Sequence, residues 1–286
     1  AFFGNGQTKF YRCCAEECRF DRANIWSQWD SRCAGASDGV WDFNKGASER
    51  QPWFGCSCCP TNIVRFIPSL PGYAYAQDGD VIYVNLFMGS EATVNVNGQA
   101  VKLIQKTRYP WDGKVELTVQ TDSPIHFELR VRIPGWAQGH PVPGDLYCYA
   151  NGDKSDIALT VNDESVDVVS QKGFACLQRE WQNNDVVTLN LSMPVQCVLS
   201  HENAETNAGR LAVERGPIVF CAEAIDNEGG VGERVLADDV AFVAEFQSEL
   251  LNGVVKLTST DWTLIPYYAW CHRGANEMAV WLRSMD

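Results

Sequence analysis

The chain has 286 residues, enough for two domains that each bury a core. Its 45% hydrophobic and 21% charged residues are those of a globular protein, and no apolar run approaches the length a membrane span requires. A net charge of −13 and an isoelectric point of about 4.7 argue against a face that attracts nucleic-acid phosphates or anionic lipid, and suit a neutral partner such as a sugar.

In chain order, residues 1 to 50 are polar and irregular, with Trp26, Trp29 and Trp41 among Asp, Ser, Asn and Gly. Thr8 to Arg12 reads as one strand of a hairpin after Gly4-Asn5-Gly6. The spacing of Ile63, Phe66, Ile67 and Leu70 predicts a helix over Thr61 to Leu70, with Pro60 in its first turn and Pro68 and Pro71 expected to end it. From Asp80 onward the period changes to two. Strands are expected at Val81 to Leu86, Thr93 to Val96, Val115 to Val119 and Phe127 to Ile133, with turns at Asn97-Gly98, Asp112-Gly113 and Asn151-Gly152. Short strands punctuated by Gly, Asn and Pro over two hundred residues predict a mainly β protein of two antiparallel β-sandwich domains, with a boundary in the polar stretch from Pro194 to Asn207.

Twelve cysteines fall into two groups. Cys148, Cys176, Cys197, Cys221 and Cys271 are scattered through strand-like sequence and are expected as small core residues. Cys13, Cys14, Cys18, Cys33, Cys56, Cys58 and Cys59 crowd the first fifth, where spacing does not decide between thiol–metal chemistry and disulfides. The densest part is Trp53-Phe54-Gly55-Cys56-Ser57-Cys58-Cys59-Pro60-Thr61-Asn62. Adjacent cysteines rarely bond each other, because the small ring strains the disulfide. They serve more naturally as metal ligands, or as one ligand that doubles as a nucleophile. A closed zinc knot or a disulfide site without catalysis is the plain alternative.

Trp136, Trp181, Trp262, Trp270 and Trp281 sit among alternating apolar residues and are expected in the cores. Trp53 and Tyr73 flank the thiol segment and are the better candidates for stacking on a sugar ring. The four histidines show no metal spacing, and the sequon Asn190-Leu191-Ser192 lies in a strand-like run.

The string from Trp53 to Asn62, with Arg65 and Pro71 to Ala76 behind it, resembles the zinc–cysteine segment of glycoside hydrolase family 127, the β-L-arabinofuranosidases. The resemblance continues through Leu129 to Trp136, Lys172-Gly173-Phe174, Arg179-Glu180-Trp181 with Asp185, and Val213 to Val219 with Glu223 and Asp226. It ends with Ile265 to Trp270, Arg273-Gly274 and Met278 to Trp281. These appear in the order of that family's C-terminal half.

The resemblance implies that residues 1–77 are the end of an (α/α)6 helical barrel, with jelly-roll-like sandwiches at 78–195 and 196–286. It also implies that the chain is the C-terminal half of a larger enzyme. In the family, the first cysteine of the Cys-Cys-Pro triplet is both nucleophile and zinc ligand and the second is a further ligand; the match assigns these roles to Cys58 and Cys59. Glu16 falls where the family places a substrate-contacting Glu, although Cys13 and Cys14 replace the usual Asn-Pro there. The remaining ligands and the general acid belong to the barrel upstream.

Three functions are therefore expected. One is part of a retaining glycosidase that takes an arabinofuranoside-type glycan and uses zinc. Another is a non-catalytic β-sandwich that binds carbohydrate or serves assembly. The third is an active site completed by a second chain that supplies the barrel.

Overall fold

The computed structural model describes residues 64–151, 155–228, 230–232, 234–237, 240–274 and 276–285. They form two compact units. One comprises residues 64–139 and 155–193, the other residues 140–151 and 194–285.

The chain enters the first unit through helical turns. Val64 to Phe66 are helical, Ile67–Ser69 form a 3-10 turn, and Pro71–Ala74 a short helix. The two prolines were expected to stop the helix; instead each opens a new turn. Pro68 and Pro71 occupy the first or second position of theirs, where the absent N–H has no partner to lose. Of the predicted apolar face, Ile67 is 57% exposed while Phe66 and Leu70 are half-buried.

The first unit is a β-sandwich. One sheet runs β1 (Tyr75–Asp78), β2 (Val81–Val84), β6 (Ile125–Arg132), β11 (Phe174–Trp181), β10 (Ser170–Gln171). The other runs β3 (Ser90–Val96), β4 (Gln99–Thr107), β5 (Lys114–Thr121), β12 (Asp185–Leu191), β8 (Ile157–Val161), β9 (Glu164–Ser165). Alternation dictates the faces. Phe127, Leu129 and Val131 of β6 and Leu117 and Val119 of β5 are fully buried, while His126 points to solvent. Asn97 and Gly98 both take positive φ and close β3 onto β4, as the Asn-Gly pair predicts. Pairing is antiparallel in this unit except between β2 and β6, which run parallel because β3, β4 and β5 of the other sheet intervene.

The second unit centres on β15 (Ile218–Glu223), β18 (Val254–Thr258) and β19 (Thr263–Pro266). All six residues of β15 are buried, since neighbours along it serve opposite faces. Phe220, Leu257 and Leu264 join Trp262 in one apolar cluster, whereas Cys221, Val254 and Ile265 join Trp270 in another. Burial on both faces explains a continuous apolar run where alternation would otherwise be expected. Flanking strands are β13 (Val195–Ser200), β14 (Arg210–Arg215), β16 (Val235–Leu236) and β17 (Val243–Gln247). β7 (Tyr147–Tyr149) adds to β13.

The hairpin of β14 and β15 splays beyond Val213. The last strands pair beyond that ladder, β20 (Met278–Ala279) with the end of β15 and β21 (Leu282–Ser284) with the start of β14, while β16 runs along β21. No described helix is long and apolar enough to cross a membrane.

Candidate functional site

Cys58, Cys59 and Glu16, the residues assigned to catalysis, zinc and substrate, lie outside the described residues, as does Trp53. The described chain supplies the anchor that follows them. Ala74 is buried, and its carbonyl accepts hydrogen bonds from the backbone N–H of Asn85 at 2.8 Å and of Leu86 at 3.3 Å. A relay of side chains holds the next residue. Gln105 Nε2 donates to Tyr75 Oη at 3.0 Å, Tyr75 Oη lies 2.9 Å from Ser90 Oγ, and Ser90 Oγ donates to Met88 O at 2.9 Å. Gln105 is buried and also donates to Leu86 O, so the relay ties β4 to β1 from within the sandwich. Tyr73 stays 39% exposed immediately before this anchor.

A second polar group covers the outer face of the first sheet. Arg130 forks onto Glu128 at 2.9 and 3.1 Å and donates to Tyr83 Oη at 3.3 Å. That hydrogen-bonded guanidinium holds the Glu128 carboxyl below its ordinary range and is itself raised in turn. Arg132, two residues on, is buried with its guanidinium 4.2 Å from the Phe174 ring and within 3.5 Å of Asn85 Oδ1. Burial pulls its pKa down to about 10. Cys176 pairs across the strands with Arg130, yet burial pushes its thiol up, which is the wrong direction for a nucleophile.

The third group is in the second unit. Glu223, fully buried at the end of β15, accepts from the Cys271 N–H at 2.8 Å, from Asn276 Nδ2 at 3.2 Å and from Arg273. Asp226 takes the other side of the same guanidinium, with Nη1 to Oδ1 at 2.9 Å. These hydrogen bonds, with Asp226 foremost, raise the pKa of Arg273. A carboxylate so occupied by donors is a structural anchor.

Among the described residues no group of three or more His, Cys, Asp or Glu side chains could hold a metal. Among the described residues, Cys148, Cys176, Cys197, Cys221 and Cys271 are thiols outside any disulfide. Their expected burial holds for Cys221 and Cys271 only; Cys148 is exposed, and Cys176 and Cys197 are half-buried. For Cys148 the reason is its place on β7, where it points away from the buried Tyr149 side. The core reading of tryptophan holds for Trp136, Trp181, Trp262 and Trp270. Trp281 is half-buried, tilted against Tyr147 at 5.5 Å. Two features escape sequence reasoning: the meeting of Glu223 and Asp226 with Arg273, and the exposure of Trp111 in the loop from β4 to β5. The signal for the latter is an indole inside a turn-forming Pro-Trp-Asp-Gly string.

Comparison with known proteins places these units. Residues 81–193 match the GH127 middle domain of β-L-arabinofuranosidase, and residues 195–283 match the glycoside hydrolase family 127 C-terminal domain. The non-reducing end β-L-arabinofuranosidase of Bifidobacterium longum is 34% identical over 82% of this chain and 38% of its own length. A solved GH127 β-arabinofuranosidase aligns with a TM-score of 0.76 at 40% identity, covering 82% of this chain and 40% of that one. The GH127 β-L-arabinofuranosidase of Geobacillus stearothermophilus T6 aligns with a TM-score of 0.73 at 36% identity, over 83% and 39%. The chain thus spans about two fifths of the length of these relatives. With both sandwiches matched in order along the chain, it belongs to glycoside hydrolase family 127, of which it carries the middle and C-terminal domains.

Proposed function

We propose that this chain supplies the cysteine nucleophile and two zinc ligands of a retaining glycosidase acting on terminal β-L-arabinofuranosyl groups. The supporting observation is that the Cys56 to Pro60 segment stands directly ahead of the family's middle domain, in a chain similar to two arabinofuranosidases at 34% and 40% identity. Residues 1–77 are read as the end of the helical barrel. Further ligands and the general acid lie in the preceding part of that barrel, on a longer form of the chain or on a second subunit.

Cys58 attacks the anomeric carbon through its sulfur as the bond to the leaving oxygen breaks, and a carboxylic acid protonates that oxygen. Water then displaces the sulfur from the opposite face, so two inversions give retention. The donor set fits zinc: Cys58 and Cys59 are adjacent thiolates, and a zinc ion bound there supplies the positive charge that keeps them deprotonated. Glu16 contacts the sugar hydroxyls.

The test uses the protein isolated from its natural source, in the subunit composition found there. It is expected to carry zinc and to hydrolyse an aryl β-L-arabinofuranoside with retention. Cys58→Ala should lower kcat on the order of a thousandfold or more. Undiminished hydrolysis by the variant overturns the assignment. An isolated protein with neither zinc nor turnover leaves the carbohydrate-binding sandwich in its place.

A further inference from the structure

We infer that the loop joining β4 to β5 is a binding platform for a neutral glycan, with Trp111 as its stacking face and Arg108 and Asp112 as its polar rim. Among the described residues Trp111 is the one exposed tryptophan, at 41%, whereas Trp136, Trp181, Trp262 and Trp270 are at most 3% exposed. A partly exposed indole forgoes part of one of the largest burial gains a side chain can make.

The loop that presents it is closely held. Trp111 N donates to Arg108 O at 2.9 Å, and Thr107 Oγ1 spans the loop base by donating to Lys114 O at 2.7 Å and accepting from Tyr109 N at 2.9 Å. Asp112 Oδ1 accepts from Lys114 N at 3.0 Å. Gly113 lets the backbone pass so close to Leu191 that a Cβ there would sit 1.9 Å from its carbonyl oxygen. Beneath the loop, Tyr109 is buried, meets Phe87 edge-on at 5.3 Å and accepts a hydrogen bond from Trp136 Nε1 at 3.0 Å. The ring is thus offered from a fixed base, so little ordering opposes binding.

The surroundings select the ligand. The Arg108 and Asp112 side chains are 68% and 45% exposed, and Arg108 Nε stands 3.8 Å from Asp112 Oδ2. Both are within the same short loop as the indole, one a donor and one an acceptor. A sugar offers a C–H face to the ring and neighbouring hydroxyls to such a pair. A single ring rimmed by both charge signs is too small an apolar patch for a stable protein interface, and a net charge of −13 repels a polyanion. That the glycan bears arabinofuranosyl groups rests on the family reading above. The platform itself does not.

A soluble neutral polysaccharide bearing terminal β-L-arabinofuranosyl groups, cast in a native gel, is the probe. The protein should be retarded, and Trp111→Ala should weaken its affinity about tenfold, the worth of one aromatic face. Trp111→Phe should restore most of the retardation, and Arg108→Ala should lose several-fold. Thermal unfolding of each variant checks its fold. The gel reads binding and not hydrolysis, so a failure here leaves the proposed reaction standing. Absence of retardation, or equal retardation of Trp111→Ala and the unaltered protein, overturns the proposal.

Discussion

A carboxylate with no exposed surface must find donors for its charge, and Glu223 draws them from one loop of the second unit, residues 271–276. Arg273, Asn276 and the Cys271 N–H all converge on it, from 48 to 53 residues away in sequence. Glu223→Ala should cost about 3 kcal/mol, because it leaves a buried N–H without an acceptor and half-empties the guanidinium that Asp226 continues to hold. A urea midpoint equal to that of the unaltered protein would refute this. In the sequence, Glu223, Asp226 and Arg273 were legible only as letters of family-like strings. Their meeting depends on β15 and the loop after β19 folding back on one another, which no local spacing reports. Trp111 was missed for a related reason: exposure is decided by the path of a loop, and an apolar residue looks the same inside or out.

Elements were most legible where one local rule decides. The Asn97-Gly98 turn and the alternation of β5 and β6 follow from positive φ and from period two, and both appear where expected. The helical stretch was less so. Proline excludes a position deep in a helix but suits its start, and Pro68 and Pro71 each begin a turn instead of ending one. Gly113 shows a requirement visible only in three dimensions. It does not carry positive φ, yet its backbone touches β12, where Leu191 N donates to its carbonyl at 3.1 Å. Gly113→Ala should therefore lose about 2 kcal/mol by pushing the loop off Leu191, a strain of overpacking. A thermal midpoint within a degree of the unaltered protein would speak against so tight a contact.

For the molecule as a whole, composition foretold class and charge but not connection. The parallel pairs, β2 with β6 and β16 with β21, join strands far apart in sequence, and β7 lies within the span of the middle-domain match while adding to β13. Sequence gives no signal for such excursions because each strand looks ordinary by itself. The net charge of −13 has its own consequence: self-repulsion opposes the folded state. Raising salt from about 10 mM to about 150 mM, which shortens the screening length from about 30 Å to about 8 Å, should raise the unfolding midpoint by about 2 to 4 °C. A fall in calorimetry would mean that attractive surface pairs outweigh the repulsion. The pairing of β20 with β15 and of β21 with β14 sets an order on synthesis. A nascent chain that has emerged only to residue 277 holds the start of β14 and the end of β15 without these partners, which arrive only when residues 278–284 leave the ribosome. The second unit thus stays incomplete until those residues have emerged.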